Sequence, residues 1–323
     1  MIEINLELAQ KFLTENGLEN CQIKKIAGDA SFRSYYRIFS QENNFILMFA
    51  PPLHEDVKPF IKVDEILVEN GFRAPKILAK NIDLGFILLE DFGDETYSKS
   101  LQNNIANEYF LYEKACDALI EIQKIPLKNI NIAHYNHATL FREVMLFIDW
   151  YLPLKNHTIS LQQKQDYKFH WIELFDKLSK SNQALVLRDY HADNLMVLNN
   201  KNGFEAVGLL DFQDALIGSC AYDLLSLLED ARRTVDEKNK QKLFDYFISK
   251  ANYNREDFLI DYEIISLQRN IKILGIFARL HLRDGKNQYI NFIPRVKNFV
   301  EQRLDQINLI SPQFKNFLKV YLQ

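Results

Sequence analysis

The chain has 323 residues, a formal net charge of −4, 47% hydrophobic residues and 25% charged residues. These values suit a globular protein of one large or two coupled lobes. They exclude a disordered chain and give no general attraction to nucleic acid or to an anionic membrane.

Three scattered cysteines, Cys21, Cys116 and Cys220, lack C-x-x-C spacing. That pattern argues for a reducing compartment and against a disulfide framework or a zinc site. The N-terminus carries acids early and no apolar h-region, and no apolar run reaches the length of a membrane span. The expectation is a cytoplasmic protein with no membrane partner.

Residues 3–16 predict a short helix before Gly17. Three strand-like runs follow at 21–26, 35–39 and 45–49. The turn between the first two contains Asp29-Ala30-Ser31-Phe32-Arg33. Small residues and a hydroxyl there let backbone N–H groups approach phosphates, with Ser31 and Arg33 as further donors; an ordinary hairpin turn has the same composition. Pro51-Pro52 ends the third run, and Phe60, Ile61, Val63, Ile66 and Leu67 recur at helical spacing over 56–70. Two further strands are expected at 76–79 and 86–89.

Asp91-Phe92-Gly93 resembles the magnesium-binding D-F-G of protein kinases. The order excludes that role, because D-F-G follows the catalytic loop in that signature. The segment reads instead as the connection between lobes, with backbone near Leu89, Glu90 and Asp91 available to an adenine edge; a plain turn is the alternative. From Tyr97 onward the pattern is mostly helical, with helices expected at 104–124, 141–152, 165–178 and 222–231, and through most of 237–323. Glu143, Asp149 and Trp150 are candidates to face a substrate.

Chemistry concentrates in 186–211. Arg188-Asp189 is followed at plus five by Asn194, and a strand-like run at 206–210 ends on Asp211. Phosphoryl transfer needs one carboxylate to orient and deprotonate the acceptor, and an Asn and a second Asp to hold Mg²⁺ on the nucleotide phosphates. Each residue alone is more often a cap or turn residue. Their joint spacing, behind a β-rich segment and ahead of a helical one, favours phosphoryl transfer.

The sequence resembles the aminoglycoside phosphotransferase and choline kinase-like family over nearly its whole length. Of that family's H-G-D-x-H-x-x-N motif, Asp189, His191 and Asn194 are kept while Leu187-Arg188 replaces His-Gly, and its later I-D-[WF] segment is matched by Leu210-Asp211-Phe212, Gly218 and Asp223-Leu224. Within the family it is most similar to the kinases of cell-wall recycling that phosphorylate N-acetylmuramate and N-acetylglucosamine at C1. Residues 29–33, 48–52, 187–194 with 211–215, and 268–279 carry that likeness.

The resemblance implies an α+β, protein kinase-like two-lobe fold. A small β-rich N-lobe with one helix (1–92) would bind nucleotide, and a larger, mainly helical C-lobe (93–323) would hold the catalytic and acceptor-binding residues. It implies ATP and Mg²⁺ as cofactors, Asp189 as catalytic base, Asn194 and Asp211 as metal ligands, and Asp223, Arg188 and His191 as structural residues. Nucleotide contacts fall on Asp29, Ala30, Ser31, Phe32, Arg33, Ile46, Met48, Leu89, Glu90, Asp91 and Phe92.

The run 45–50 offers Met48 and no Lys where the wider family places a phosphate-binding lysine. A non-catalytic nucleotide-binding protein therefore stays open, and Arg33 is the candidate replacement cation. Glu143, Asp214, Arg232 and Arg269 are the acceptor-contact candidates. Arg269, Lys272, Arg279 and Arg283 recur at helical spacing. A basic face there suits an anionic acceptor such as the lactyl carboxylate of N-acetylmuramate; a solvated or salt-bridged stripe is the alternative. A choline-type or aminoglycoside kinase remains the second enzyme reading. The partner is a small amino sugar, with no nucleic acid, and the oligomeric state is open.

Overall fold

The computed structural model describes residues 3–26, 32–199 and 201–323. By contacts the chain divides into two units, residues 1–105 with 193–215 and residues 106–192 with 216–323. Residues 93–105 and 193–215, expected in the second lobe, therefore group with the first.

In chain order the elements begin with α1 (Leu6–Glu15), β1 (Gln22–Lys25), β2 (Ser34–Phe39), β3 (Asn44–Phe49), α2 (Lys58–Glu69), β4 (Ile77–Asn81), β5 (Phe86–Glu90) and α3 (Tyr97–Asn103). Next come α4 (Glu108–Ile122), α5 (His137–Leu146), a π-helical turn (Phe147–Tyr151), α6 (Leu152–Leu154), α7 (Leu161–Phe175), β6 (Gln183–Val186), β7 (Leu195–Val197), β8 (Val207–Leu209) and β9 (Leu216–Ser219). The chain ends with α8 (Ala221–Leu228), α9 (Glu237–Ala251), α10 (Arg255–Leu282), α11 (Ile293–Gln306) and α12 (Pro312–Tyr321). The fold is α+β and protein kinase-like, a small antiparallel N-lobe and a larger helical C-lobe.

In the first unit five antiparallel strands are ordered β1-β2-β3-β5-β4. Strand side chains alternate between faces. One face sends Tyr36, Ile38, Leu47, Phe49, Phe86 and Leu88 against Ala9, Phe12 and Leu13 of α1. The other face carries Tyr35, Arg37, Ile46 and Leu89, which line a cavity. A second hairpin, β7–β8, joins this unit through Leu209 N–H donating to the Arg73 carbonyl and Val197 N–H to that of Glu95.

In the second unit β6 pairs with β9. Around this pair stand well-capped helices: a Ser160–Gln163 capping box opens α7, Asp236 caps α9 and Asn254 caps α10. The 28-residue α10 is buried along most of its length. A Cβ on Gly275 would lie 2.4–2.5 Å from Leu146, so α10 crosses α5 at a separation only glycine permits. The crossing is where α5 widens into the π turn, a feature that periodicity does not announce.

On α2, Asp64 is only 2% exposed, and its Oδ1 has no hydrogen-bond partner. Burial first, then Glu65 and Glu90, pushes its carboxyl up to about 7. A folded pKa above the unfolded one means that stability from the protonated group is full below about 4 and is lost as pH rises through about 7. Asp64→Asn should therefore stabilise the protein at pH 8 by up to about 4 kcal/mol and flatten the pH 5–8 profile of chemical denaturation. An unchanged profile refutes this account of Asp64.

Candidate functional site

The first unit contains a cavity of about 340 Å³ lined by Ile26, Tyr35, Ile46, Phe60, Leu89, Met196 and Phe212, with Asn194 and Asp211 also in its wall. Its apolar lining suits a flat heteroaromatic ring, with polar groups at one end to fix orientation. Phe60 of α2 stacks on Phe212 at 5.2 Å. A Cβ on Gly208 would lie 2.9 Å from the Phe92 ring, so β8 passes directly against the segment leaving β5.

That segment is held by arginines. Arg37 sets Nε 2.7 Å from Asp91, donates through Nη1 to both Asp94 oxygens at 2.8 Å, and donates through Nη2 to the Gly93 carbonyl at 3.0 Å. Arg73 donates to Glu90 at 2.6 Å and lies over the Phe92 ring. The Glu90 and Asp91 side chains are thus already engaged, and the Glu90 N–H donates to the Lys76 carbonyl at 3.0 Å. Met48 is fully buried, so the third strand supplies an apolar side chain where a phosphate-binding cation was sought.

Asn194 lies one residue before β7 and Asp211 two residues after β8, at the end where Leu195 faces Leu209. The Leu210 N–H donates to the Asn194 carbonyl, which fixes their separation. The Asn194 amide is 3.5 Å from Asp211 Oδ2, and Gln213 donates to Asp211 Oδ1 at 2.9 Å. Asp211 takes φ +57°, turning its carboxylate off the strand line. A side-chain amide oxygen beside a carboxylate is the hard-oxygen donor set that Mg²⁺ accepts. Arg33 places Nη2 3.5 Å from Asp211 Oδ1 and Nε 3.6 Å from Glu55. It is a cation beside the proposed metal ligand, on the turn where one was expected. Phe32 stacks on His54. Asp29, Ala30 and Ser31 lie outside the described residues.

In the second unit the residues around Asp189 form a braced turn. Asp223 accepts the Leu187 N–H at 2.6 Å and the Arg188 N–H at 2.9 Å. Burial, opposed by these two bonds and reinforced by Asp189, pushes the Asp223 carboxyl up to about 7. Arg188 takes φ +73°, a region L side chains rarely enter. The Ser226 hydroxyl donates to the Arg188 carbonyl, and the His191 N–H donates to the Asp189 carbonyl. The His191 ring lies 3.0 Å from Arg232.

Two acceptor-contact candidates, Glu143 and Arg269, are buried in protein contacts. Glu143, 8% exposed, accepts from the Tyr135 hydroxyl, Arg188 and Gln268 and stands 3.7 Å from Lys272. Burial would raise its carboxyl, but Lys272, Arg188 and the two neutral donors hold it below the usual range. Arg269, 4% exposed, donates to the Glu229 carbonyl and to Ser226. Lys272 is also buried and donates to Tyr222. The expected basic stripe on α10 is thus interior at Arg269 and Lys272, because this helix is enclosed on nearly every side. Arg232 is half-buried and Asp214 is exposed.

Glu55, Arg37, Gln213, Tyr135 and Gln268 were not singled out as site residues, and Lys272 was read only as part of the basic stripe. Only Gln268 and Lys272 carried a signal, as polar residues one turn apart in an apolar helix. Arg33→Ala should raise the KM for ATP or lower kcat more than tenfold, a loss of about 1.4 kcal/mol or more. Wild-type steady-state kinetics in that variant would remove Arg33 from the site.

Among the described residues, no helix is long and apolar enough to cross a membrane. Residues 22–259 match the model of the phosphotransferase enzyme family. The chain is 36% identical over 286 residues to an N-acetylmuramate/N-acetylglucosamine kinase of Pseudomonas aeruginosa, covering 85% of this chain and 81% of that protein. Its fold is similar to that of a putative aminoglycoside phosphotransferase from Ralstonia eutropha, with TM-score 0.67 and 12% identity, covering 93% and 97% of the two chains. It is also similar to an ADP-bound aminoglycoside phosphotransferase, with TM-score 0.62 and 13% identity, covering 92% and 97%. A family match across most of the chain and a relative of this identity and coverage agree: the chain belongs to the phosphotransferase enzyme family.

Proposed function

We propose that this protein is an ATP-dependent kinase that phosphorylates the anomeric C1 hydroxyl of N-acetylmuramate, N-acetylglucosamine or both, in the cytoplasm, during peptidoglycan recycling. The observation that carries it is the likeness to the Pseudomonas kinase across 85% of the chain, with Asp189, Asn194 and Asp211 all present.

In this reading the cavity in the first unit takes the adenine, and backbone between Leu89 and Phe92 meets its edge. Asn194 and Asp211 hold Mg²⁺, which when bound neutralises the developing charge on the transferring phosphoryl group. Arg33 serves the phosphates in place of a third-strand lysine. Asp189 accepts the proton of the sugar hydroxyl as the γ-phosphoryl transfers in line. Of the acceptor candidates, Asp214 and Arg232 keep exposed surface, whereas Glu143 and Arg269 are buried in protein contacts.

Buried Met48 favours a second, non-catalytic reading in which nucleotide binds without transfer. One assay separates these and the amine-kinase reading: Mg-ATP with a panel of sugars, amino alcohols and aminoglycosides, followed by ADP release. Release with N-acetylated amino sugars alone is expected. The corresponding alditols, which lack an anomeric hydroxyl, should be inert. Release with amines alone, or ATP binding with no release, would replace this reading. Asp189→Asn should abolish turnover with the ATP dissociation constant nearly unchanged, and retained turnover would remove Asp189 as base.

A further inference from the structure

We infer that Glu143 is a positioning residue for phosphoryl transfer, acting on Asp189 through Arg188; the inference rests on Asp189 being the base. The residue immediately before Asp189 sits at φ +73° without being glycine, so its neighbours must hold it there. Arg188 is held at its backbone N–H, its carbonyl and its guanidinium Nη2. Its N–H goes to Asp223, its carbonyl accepts from Ser226, and its guanidinium donates to Glu143. The guanidinium also lies over the Tyr135 ring at 5.3 Å.

Asp223 and Ser226 both belong to α8 and hold backbone. Glu143 belongs to α5 and is the side-chain anchor, so it fixes the turn from a second element. The anchor is itself rigid. Tyr135 and Gln268 donate to Glu143 Oε2, and Lys272, 3.7 Å away, is tied to Tyr222. A buried carboxylate with two cations and two neutral donors keeps one orientation. Removing it leaves the Arg188 guanidinium without its carboxylate and leaves the left-handed turn to two backbone contacts.

A merely structural ion pair would affect stability and leave chemistry alone. The test is steady-state kinetics, with chemical denaturation alongside, on Arg188→Ala, Arg188→Gly, Glu143→Gln and the double variant Glu143→Gln/Arg188→Gly. Arg188→Ala should lose more than tenfold in kcat with both KM values within about twofold. Glycine enters positive φ freely, so Arg188→Gly should keep at least threefold more kcat than Arg188→Ala, although both lose the ion pair. Glu143→Gln should lower kcat in the parent and leave it unchanged in the Arg188→Gly background. Equal kcat for the Ala and Gly variants, or a Glu143→Gln effect confined to stability, overturns the inference. Asp189→Asn is measured in parallel. Turnover retained there overturns the base assignment and this inference together, whereas turnover lost there with normal kcat in Glu143→Gln overturns this inference alone.

Discussion

Two hydrogen bonds from consecutive backbone amides, Leu187 and Arg188, to one buried carboxylate hold the turn on which Asp189 stands. Asp223 is fully enclosed near the start of α8, where ionising a carboxyl is unfavourable unless donors meet it. The two amides meet both oxygens, and the turn that provides them is the one that aims Asp189. The same helix then supplies Ser226 for the Arg188 carbonyl. Ser226 in turn receives Arg269 of α10, and Glu229 gathers Ser266, Asn270 and Arg303. A strained backbone is thus held by one continuous buried polar network, whose members are costly to remove singly because each leaves another unpaired.

The first unit solves a different electrostatic problem. It holds three arginines, each against acid: Arg33 with Glu55 and Asp211, Arg37 with Asp91 and Asp94, and Arg73 with Glu90. None is on the third strand, where Met48 is fully buried. The cation 3.5 Å from Asp211 therefore precedes β2 rather than standing on β3. Lysine presents a point charge, whereas a guanidinium spans two oxygens at once, which suits a group reaching from a turn towards both Glu55 and Asp211.

The chemistry was legible in the sequence where residue type and short spacing fixed it. Asn194 and Asp211 are brought together by one hairpin, and Asp189 precedes Asn194 by five residues. The first sheet was legible from alternation, with strand ends shifting by only a residue or two. What was not legible is non-local. The order of the motifs excludes Asp91 as a metal ligand, but its clamp by Arg37 is visible only in the structure. Glu143 and Arg269 read as surface groups because nothing in a periodic pattern reveals how many neighbours enclose a helix. β9 was missed because Leu216–Ser219 is short and contains a glycine, and α3 because seven residues give too little periodicity. The π turn after α5 begins beside the Gly275 crossing, a contact between residues far apart in sequence.

The discontinuity of the first unit bears on how the protein is made. Its β7–β8 hairpin bonds to Arg73 and Glu95, yet residues 106–192 are synthesised in between. At translation rates of about 5–20 residues per second, the earlier sheet waits roughly 5–20 s for its last strands. During that interval the β5 exit and the Arg73 backbone lack their hairpin. The N-terminal segment is therefore an incomplete folding unit on the ribosome, and the cavity of the first unit is completed only after synthesis of the segment that carries Asn194 and Asp211.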